Sequence, residues 1–390
     1  MKAVILAAGK GTRLEPVTST RSKPMIPLAN KPLLEWTVEN LIHIVDEIVL
    51  VVRKDQQDII EHFSGTLKIK FVYQDEPRGT GHALLCCEKE IDSRFILLNG
   101  DEMIPRSDIE TLSKKTELQL SVFYVENPKK YGVLKIEGNK IKKIDEKSET
   151  PQSNIVSAGL YLLDKRIFNY LKKIKPSARN ELELTDGLNL MFADGIVVEP
   201  FSLSQWVTIT HPWDYLDAQK LILDQTGTQI GRNVKIRPGA FIEEPVAIGD
   251  GAVLGPNCFI RKYSVIGKNC RIGNAVEIKN SIIMDNSYVS HLSYVGDSIV
   301  GKDCNIGAGC IIANLLLDDK KTIKVKIRDD VIDSGKRKLG AIIGDNVKFG
   351  VNVTIMPGRM IWPNMMIPPC TLIANDIKQQ PVIDLEKRVL

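Results

Sequence analysis

The chain of 390 residues contains no Cys-x-x-Cys pair, no Gly-Lys-Ser/Thr sequence and no apolar run approaching the length of a membrane span. The first absence argues against a zinc site or a redox dithiol among its seven cysteines (Cys86, Cys87, Cys258, Cys270, Cys304, Cys310 and Cys370). An odd count, with several at apolar positions, suits reduced thiols in a cytosol. The second absence excludes a Walker A phosphate loop. The third excludes a transmembrane helix, and Met1 leads straight into an apolar strand-like run rather than a cleavable leader, so a cytoplasmic location is expected. Charge of one sign is also scarce. Lys and Arg number 52 against 48 Asp and Glu, a formal net charge of +4, too small at this length to point to nucleic acid or a membrane surface. What remains, 43% hydrophobic and 26% charged, is the composition of an ordinary globular protein, long enough for two domains.

Residues 2–7 read as a buried strand, and 8–12 turn sharply off its end through Gly9 and Gly11. Residues 31–45 carry apolar side chains at helical spacing. A glycine turn between a strand and a helix lets backbone N–H groups approach a phosphate chain without Cβ obstruction. Arg13 and Lys23 add fixed positive charge. The third glycine of the dinucleotide fingerprint is missing. From Met1 to about Asp101 strand-like and helical patterns alternate, which predicts a parallel sheet with helices on its faces. Ligands of such sheets collect at the carboxyl ends of the strands. There fall the glycine turn, Gly79-Thr80-Gly81 and Asn99-Gly100-Asp101. Asp101 is either a common Gly-Asp turn residue or a ligand for Mg²⁺ bridging nucleotide phosphates, an ion held by one or two carboxylates and water.

The full string LAAGKGTRL, followed by Lys23-Pro24, Pro27 and Lys31-Pro32, resembles the sugar-1-phosphate nucleotidylyltransferases. The resemblance implies a Rossmann-like nucleotidyltransferase domain over residues 1–224 with a mostly parallel sheet. In it Ala8, Gly9, Gly11, Thr12, Arg13, Gly79 and Thr80 would bind the nucleotide. Arg13 and Lys23 would act on the reacting phosphates and Asp101 would hold Mg²⁺. Gly132, Glu146 and Lys147 match the glycine that approaches the sugar, the glutamate on its hydroxyls and the lysine on its phosphate. Glu183-Leu184-Thr185-Asp186 continues the match, and His82 reads as a structural residue at a helix start. The chain also departs from the family. Ser148 follows Glu146-Lys147 in place of proline, and Ser157 stands where an asparagine touches the sugar. Trp206-Val207-Thr208 replaces a Trp-x-Asp whose aspartate is the second Mg²⁺ ligand. A hydroxyl is a weaker Mg²⁺ ligand than a carboxylate. Either Asp101, substrate phosphates and water hold the ion, or this site is slow, altered or silent.

After a helical stretch at 214–223 and a polar link at 225–229, Ile230 opens a six-residue repeat of aliphatic residues that continues unbroken to Ile278. It slips by one to Ile283, Val289 and Val295, slips again to Val300, Ile306 and Ile312, and resumes from Ile343 to Ile373. A hexapeptide period predicts a parallel β-helix, three repeats to a coil, in which stacking buries what one repeat cannot. The domain is read as 230–378 with an insertion at 315–339. A tail at 379–390 follows, with a short amphipathic helix near its end.

Hexapeptide repeats of this kind resemble the left-handed β-helix acyltransferases, commonly trimers. Residues 290–314, SHLSYVGDSIVGKDCNIGAGCIIAN, resemble the acetyltransferase half of the bacterial bifunctional enzyme that makes UDP-N-acetylglucosamine. That resemblance implies His291 as general base, Tyr294 and Asn314 on the sugar, Arg261 and Lys279 on its phosphate, and Asn305 and Ala308 near sugar and acetyl-coenzyme A. The basic insertion is either a solvated hairpin or a cover. As a cover it would put Lys320 and Lys324 near a sugar phosphate and Arg337 and Lys338 near coenzyme A, across a subunit boundary.

The expected protein is therefore a two-site, homotrimeric enzyme of nucleotide-sugar synthesis. One site transfers a nucleotidyl group from UTP or dTTP to a sugar 1-phosphate with Mg²⁺. The other N-acetylates glucosamine or galactosamine 1-phosphate from acetyl-coenzyme A. Two alternatives stand beside it: an acetyltransferase whose first domain only binds, and a non-enzymic sugar-nucleotide sensor.

Overall fold

The computed structural model describes residues 1–177 and 179–380; the helix expected near the end of the tail lies outside them. The chain forms two compact units. The first comprises Met1–Lys10, Ser22–Met25 and Leu33–Thr208; the second comprises Gly11–Arg21, Ile26–Pro32 and the chain from Ile209 onward.

The first unit is a nine-stranded sheet with helices. Its strands are β1 (Lys2–Leu6), β2 (Glu47–Val52), β3 (Ile69–Tyr73) and β4 (Phe95–Asn99), then β6 (Leu118–Tyr124), β7 (Gly132–Glu137), β8 (Lys140–Glu146), β9 (Ile155–Leu163) and β10 (Val198–Ser202). β5 (Glu102–Met103) and β11 (Val207–Thr208) form a separate antiparallel pair. The main path runs β8-β7-β9-β4-β1-β2-β3, with β6 joined to β9 and β10 to β6. β1 to β4 pair in parallel, as the alternation of strands with α1 (Leu33–Leu41), α2 (Gln57–Phe63) and α3 (Thr80–Leu85) requires. α1 is shorter than its periodic stretch, because 31–32 pair as strand and 42–45 leave the helix as a turn. The sheet as a whole is mixed rather than mostly parallel: β9 runs antiparallel to β4, β6 and β7, and β7–β8 is a hairpin. Short connections of that kind turn the chain back instead of carrying it over in a helix. β1, β2 and β4 supply fully buried Val4, Val49 and Leu97 on one face and Ile5, Leu50 and Ile96 on the other, the two-faced burial of a covered parallel sheet.

The second unit carries the left-handed β-helix, three sheets of seven short parallel strands. Residue 230 pairs with 248 and 248 with 266, eighteen apart, and the slip makes 266 pair with 283. Ile248, Ile266, Ile283, Val300, Ile343 and Ile361 stack as one buried column. Asparagines turn the corners: Asn269, Asn286 and Asn346 have φ of 54°, 58° and 55°, a left-handed region Asn tolerates better than most residues. Their amides also bridge coils, Asn269 to Asn286 at 3.3 Å and Asn346 to Asn364 at 2.9 Å. The column runs on past Ile373, since Ile377 bridges Ile361 and packs on it. Ile306 is 2% exposed in mid-column. Ile306→Ala should cost about 2–5 kcal/mol of unfolding free energy by denaturant titration, because rigid coils above and below cannot close the cavity.

Helix α4 (Pro212–Thr226) precedes the first coil and extends two residues into the polar stretch. In the same unit Arg21 pairs with Asp345 at 2.5 Å, the two side chains 11% and 5% exposed. Asp345 also accepts the Thr20 hydroxyl at 2.6 Å and the Lys302 N–H at 2.9 Å, so a nearly buried carboxylate is fully paired. All seven cysteines are free. Burial pushes the Cys270 and Cys304 thiols up to about 12, which removes them from thiolate chemistry.

Candidate functional site

In the first unit Ala8 and Gly9 follow β1 and Asp101 follows β4, its parallel neighbour, so these expected residues leave the sheet side by side. Gly100 donates its N–H to the Leu6 carbonyl at 2.9 Å, and a Cβ there would stand 3.0 Å from that oxygen. Glycine thus lets β4 close against β1 immediately before Asp101. Lys23 Nζ meets Asp101 Oδ2 at 2.5 Å, the two side chains 12% and 34% exposed. A cation and a carboxylate are therefore held together at the sheet edge. Arg53, just past β2, donates to the carbonyls of Ala8 (2.6 Å) and Gly9 (3.0 Å), and Gln56 holds the Ala7 carbonyl at 3.0 Å. These contacts occupy the carbonyls and fix the start of the glycine turn. Neither residue was singled out from the sequence; a polar pair at the end of the second parallel strand was the available signal.

Gly79 has φ +101°, and a Cβ on it would lie 2.6 Å from the Leu182 carbonyl. Gly81 donates to that carbonyl at 2.8 Å, and Thr80 Oγ1 accepts the Leu184 N–H at 3.1 Å. The glycines at 79 and 81 thus serve packing against 182–184. His82 lies between Gln74 (2.9 Å) and Arg78 (2.7 Å). Burial first, and then Arg78, hold its pKa below the ordinary histidine value, consistent with a structural part. Gly132 and Glu146 come together: a Cβ at 132 would be 3.0 Å from Glu146 Oε2. Arg179 lies 3.5 Å from Glu146 and 2.9 Å from Glu183. Lys147 follows on an exposed turn with φ +49°.

Ser157, in the asparagine's place, bonds the Tyr161 hydroxyl at 3.1 Å. Thr208 sits on β11 directly opposite Glu102 of β5. Trp206, packed against Phe123 and Tyr131, donates its indole N–H to Glu102 Oε2 at 2.6 Å. Burial, then neighbouring Asp101, push the Glu102 carboxyl well above the usual carboxylate range. Among the described residues no three or more His, Cys, Asp or Glu side chains gather as a ready-made metal site. The donors present are hard oxygens, which suit Mg²⁺ sharing its shell with phosphate and water.

In the second unit Gly11 is left-handed (φ 69°) and starts a short 3-10 turn over Thr12–Leu14. Buried Leu14 anchors that turn, while Arg13 is exposed. Thr12 accepts a hydrogen bond from the Arg328 guanidinium.

On the β-helix, the face formed by Phe259–Ile260, Glu277–Lys279, Tyr294–Gly296 and Ile311–Ile312 organises four expected residues. Two of them, Lys279 and Asn314, share one partner, Asp297, which is buried at a left-handed corner with φ +47°. Its carboxylate receives Lys279 Nζ at 2.6 Å, Asn280 Nδ2 at 2.8 Å and the Asn314 amide. Asn314 also donates to the Tyr294 hydroxyl at 3.1 Å, which leaves the phenol proton free to donate elsewhere. Burial, then Asp297, raise the Tyr294 pKa and keep that proton in place. Gly296 lies beneath: a Cβ would reach 2.6 Å from Asn314 Nδ2. Arg261 pairs with Glu277 at 3.1 Å. Asp297 was missed, although it lies within the quoted string of residues 290–314. Asp297→Ala should lower stability by roughly 3 kcal/mol, because a mostly buried lysine loses its counter-charge. Differential scanning calorimetry checks this.

His291 occupies the exposed corner ahead of Tyr294. Its Nδ1 accepts the Asn274 N–H at 3.3 Å, a long contact that a turn of the exposed ring releases. Asn305 is exposed on a different face, that of Tyr288–Val289, and the Ala308 carbonyl accepts Asn352 N–H at a corner. The insertion folds as a hairpin, Lys324–Ile327 against Asp330–Asp333. Lys320, Lys324, Arg337 and Lys338 are exposed on it, and Arg337 donates to the Asp319 carbonyl at 2.7 Å.

Residues 2–225 match the family model described as nucleotidyl transferase, and 242–367 match the GMPPB C-terminal domain. The bifunctional protein GlmU of Methanocaldococcus jannaschii is 41% identical over 98% of this chain and 97% of its own. The bifunctional sugar-1-phosphate nucleotidylyltransferase/acetyltransferase of Sulfurisphaera tokodaii is also 41% identical, over 97% and 98%. Among solved structures, a putative glucose-1-phosphate thymidylyltransferase from Bacillus anthracis is 29% identical with a TM-score of 0.53, covering 57% of this chain and 96% of that one. No helix among the described residues is long and apolar enough to cross a membrane. With relatives matched from end to end on both halves, the chain belongs to the family of bifunctional sugar-1-phosphate nucleotidylyltransferase/acetyltransferases.

Proposed function

We propose that the chain makes nucleotide sugars by two transfers at separate sites. The β-helix acetylates the amine of an amino-sugar 1-phosphate, glucosamine or galactosamine 1-phosphate, from acetyl-coenzyme A. The sheet then joins the acetylated sugar 1-phosphate to a nucleotidyl group from UTP or dTTP and releases pyrophosphate. What carries the reading is the Asp297 cluster, which orients Lys279, Asn314 and Tyr294 on the face that follows His291.

For acetyl transfer the attacking amine must be neutral. His291 takes its proton as nitrogen attacks the thioester carbonyl, and coenzyme A leaves as the thiol. Lys279 and Arg261 bind the sugar phosphate; Tyr294 and Asn314 hold the ring. Asn305 and Ala308 border sugar and acetyl-coenzyme A, and Lys320, Lys324, Arg337 and Lys338 bring cations to phosphates across a trimer boundary.

For nucleotidyl transfer the nucleophile is a sugar phosphate oxygen, already anionic, so no general base is needed. Ala8, Gly9, Gly11, Thr12, Gly79 and Thr80 hold the nucleotide. Arg13 neutralises the leaving pyrophosphate and Lys23 the attacked phosphate. Gly132, Glu146 and Lys147 seat the sugar phosphate. Mg²⁺, held by Asp101, would supply further charge neutralisation on the phosphates.

Two assays on the full chain test the reading. Free-thiol release from acetyl-coenzyme A with glucosamine 1-phosphate or galactosamine 1-phosphate reads the β-helix. Mg²⁺-dependent pyrophosphate release from UTP or dTTP with N-acetylglucosamine 1-phosphate reads the sheet. Thiol release without any pyrophosphate release would instead favour an acetyltransferase with a binding-only first domain.

A further inference from the structure

Three aspartates occupy equivalent corners of the β-helix. Asp250, Asp285 and Asp345 each stand two residues beyond a column aliphatic, Ile248, Ile283 and Ile343. In each, Oδ1 accepts a backbone N–H from the preceding coil: Arg232 at 2.8 Å, Lys268 at 2.7 Å and Lys302 at 2.9 Å. That oxygen holds coil to coil. The second oxygens of Asp250 and Asp345 differ. Asp250 turns Oδ2 to the Arg232 guanidinium of the same neighbouring coil at 3.0 Å, and its side chain is 40% exposed. Asp345 turns Oδ2 to partners outside the coils, the Thr20 hydroxyl and the Arg21 guanidinium, and is 5% exposed.

Thr20 and Arg21 end the loop that begins at Gly11. The Gly11 carbonyl accepts both the Leu14 N–H and the Thr18 hydroxyl at 2.9 Å, and Leu14 and Val17 are buried. The loop is thus closed on itself, and Thr12 and Arg13 are carried with it. Where it is fastened decides where they stand. An asparagine at 345 could accept the Lys302 N–H equally well and would spare the cost of a buried charge. Only the bond to Arg21 calls for a carboxylate. A nearly buried ion pair adds little net stability, because desolvation offsets the attraction; what it supplies here is a fixed geometry.

We propose that Asp345 is a positioning residue for nucleotidyl transfer. By holding Thr20 and Arg21 it sets the place of Thr12 and Arg13 for the triphosphate. The inference rests on the reading of those two residues as groups that bind and neutralise the triphosphate. It gives the β-helix a part in the first reaction, through a corner that follows a different sheet from the one carrying Lys279 and Tyr294.

Pyrophosphate and thiol release measured side by side on the full-length chain test this. Asp345→Asn, Arg21→Met and the two combined are compared with wild type, each below its own Tm. Asp345→Asn keeps an oxygen for Lys302 and removes the charge opposite Arg21. Arg21→Met reaches the same pair from the loop, leaves the corner aspartate in place, and decides alone if Asp345→Asn does not fold. Each should lower kcat for pyrophosphate release at saturating triphosphate about 10²-fold, the scale of misplacing a reacting group by about 1 Å from afar, with thiol release unchanged. The double variant should lose no more than the worse single one, because both changes break one contact. Unchanged pyrophosphate release in either single variant would overturn the proposal and leave the reading of Thr12 and Arg13 standing. Losses that add would also overturn it, as would a matching fall in thiol release, which would confine Asp345 to holding the coils. A wild-type chain that releases no pyrophosphate would instead remove the reading itself, and the role of Asp345 with it.

Discussion

His291→Ala should lower thiol release from acetyl-coenzyme A by about 10²–10⁴, the usual contribution of a positioned general base, and leave pyrophosphate release unchanged. The histidine is exposed and makes one long contact with Asn274, so its removal leaves the coil intact. A general structural defect would instead lower Tm and both activities together. Saturation with amino-sugar phosphate should not restore the rate, because the lost function is proton removal rather than binding. Loss of both activities at unchanged Tm would contradict separate sites. Unchanged thiol release would remove imidazole from the chemistry and transfer the base role to another group near Tyr294.

Arg13→Ala is the corresponding change in the first half. Its expected effect is a 10²–10³-fold loss of pyrophosphate release, the scale of removing one preorganised charge from a developing phosphate anion, with thiol release intact. Arg13 is exposed on a turn that buried Leu14 anchors, and no ion pair of Arg13 occurs among the described residues. Its charge is therefore available to substrate. Lys23, by contrast, is already bound to Asp101, and its replacement would disturb that carboxylate as well. Single-turnover measurements at saturating triphosphate check whether the loss lies in the chemical step. An unchanged rate would mean that the glycine turn does not hold the triphosphate.

The β-helix was legible in the sequence because one aliphatic every sixth residue has a single packing solution, and even its slips reappear as shortened coils at 266–283. The parallel strands β1 to β4 were legible for the same reason, as apolar runs separated by helical periods. The antiparallel half of the sheet was not. Nothing in the pattern of β6 to β9 states which strands will be neighbours, since pairing partners are chosen by the folded core. The sites divide along the same line. Lys279, Tyr294 and Asn314 were named individually, but Asp297, the carboxylate on which Lys279 and Asn314 meet, was not, because convergence of coils onto one carboxylate exists only in three dimensions. Arg53 was passed over for a related reason. It gains its meaning from a residue some fifty positions away in the chain, and no local spacing records that.

The insertion at 315–339 leaves the coils on either side in step: Ile299 still pairs with Ile342 and Val300 with Ile343. A corner of this scaffold can therefore admit a long excursion without any adjustment of the column inside. New recognition surfaces can be added there, by natural variation or by grafting, while the tower that carries them keeps its architecture.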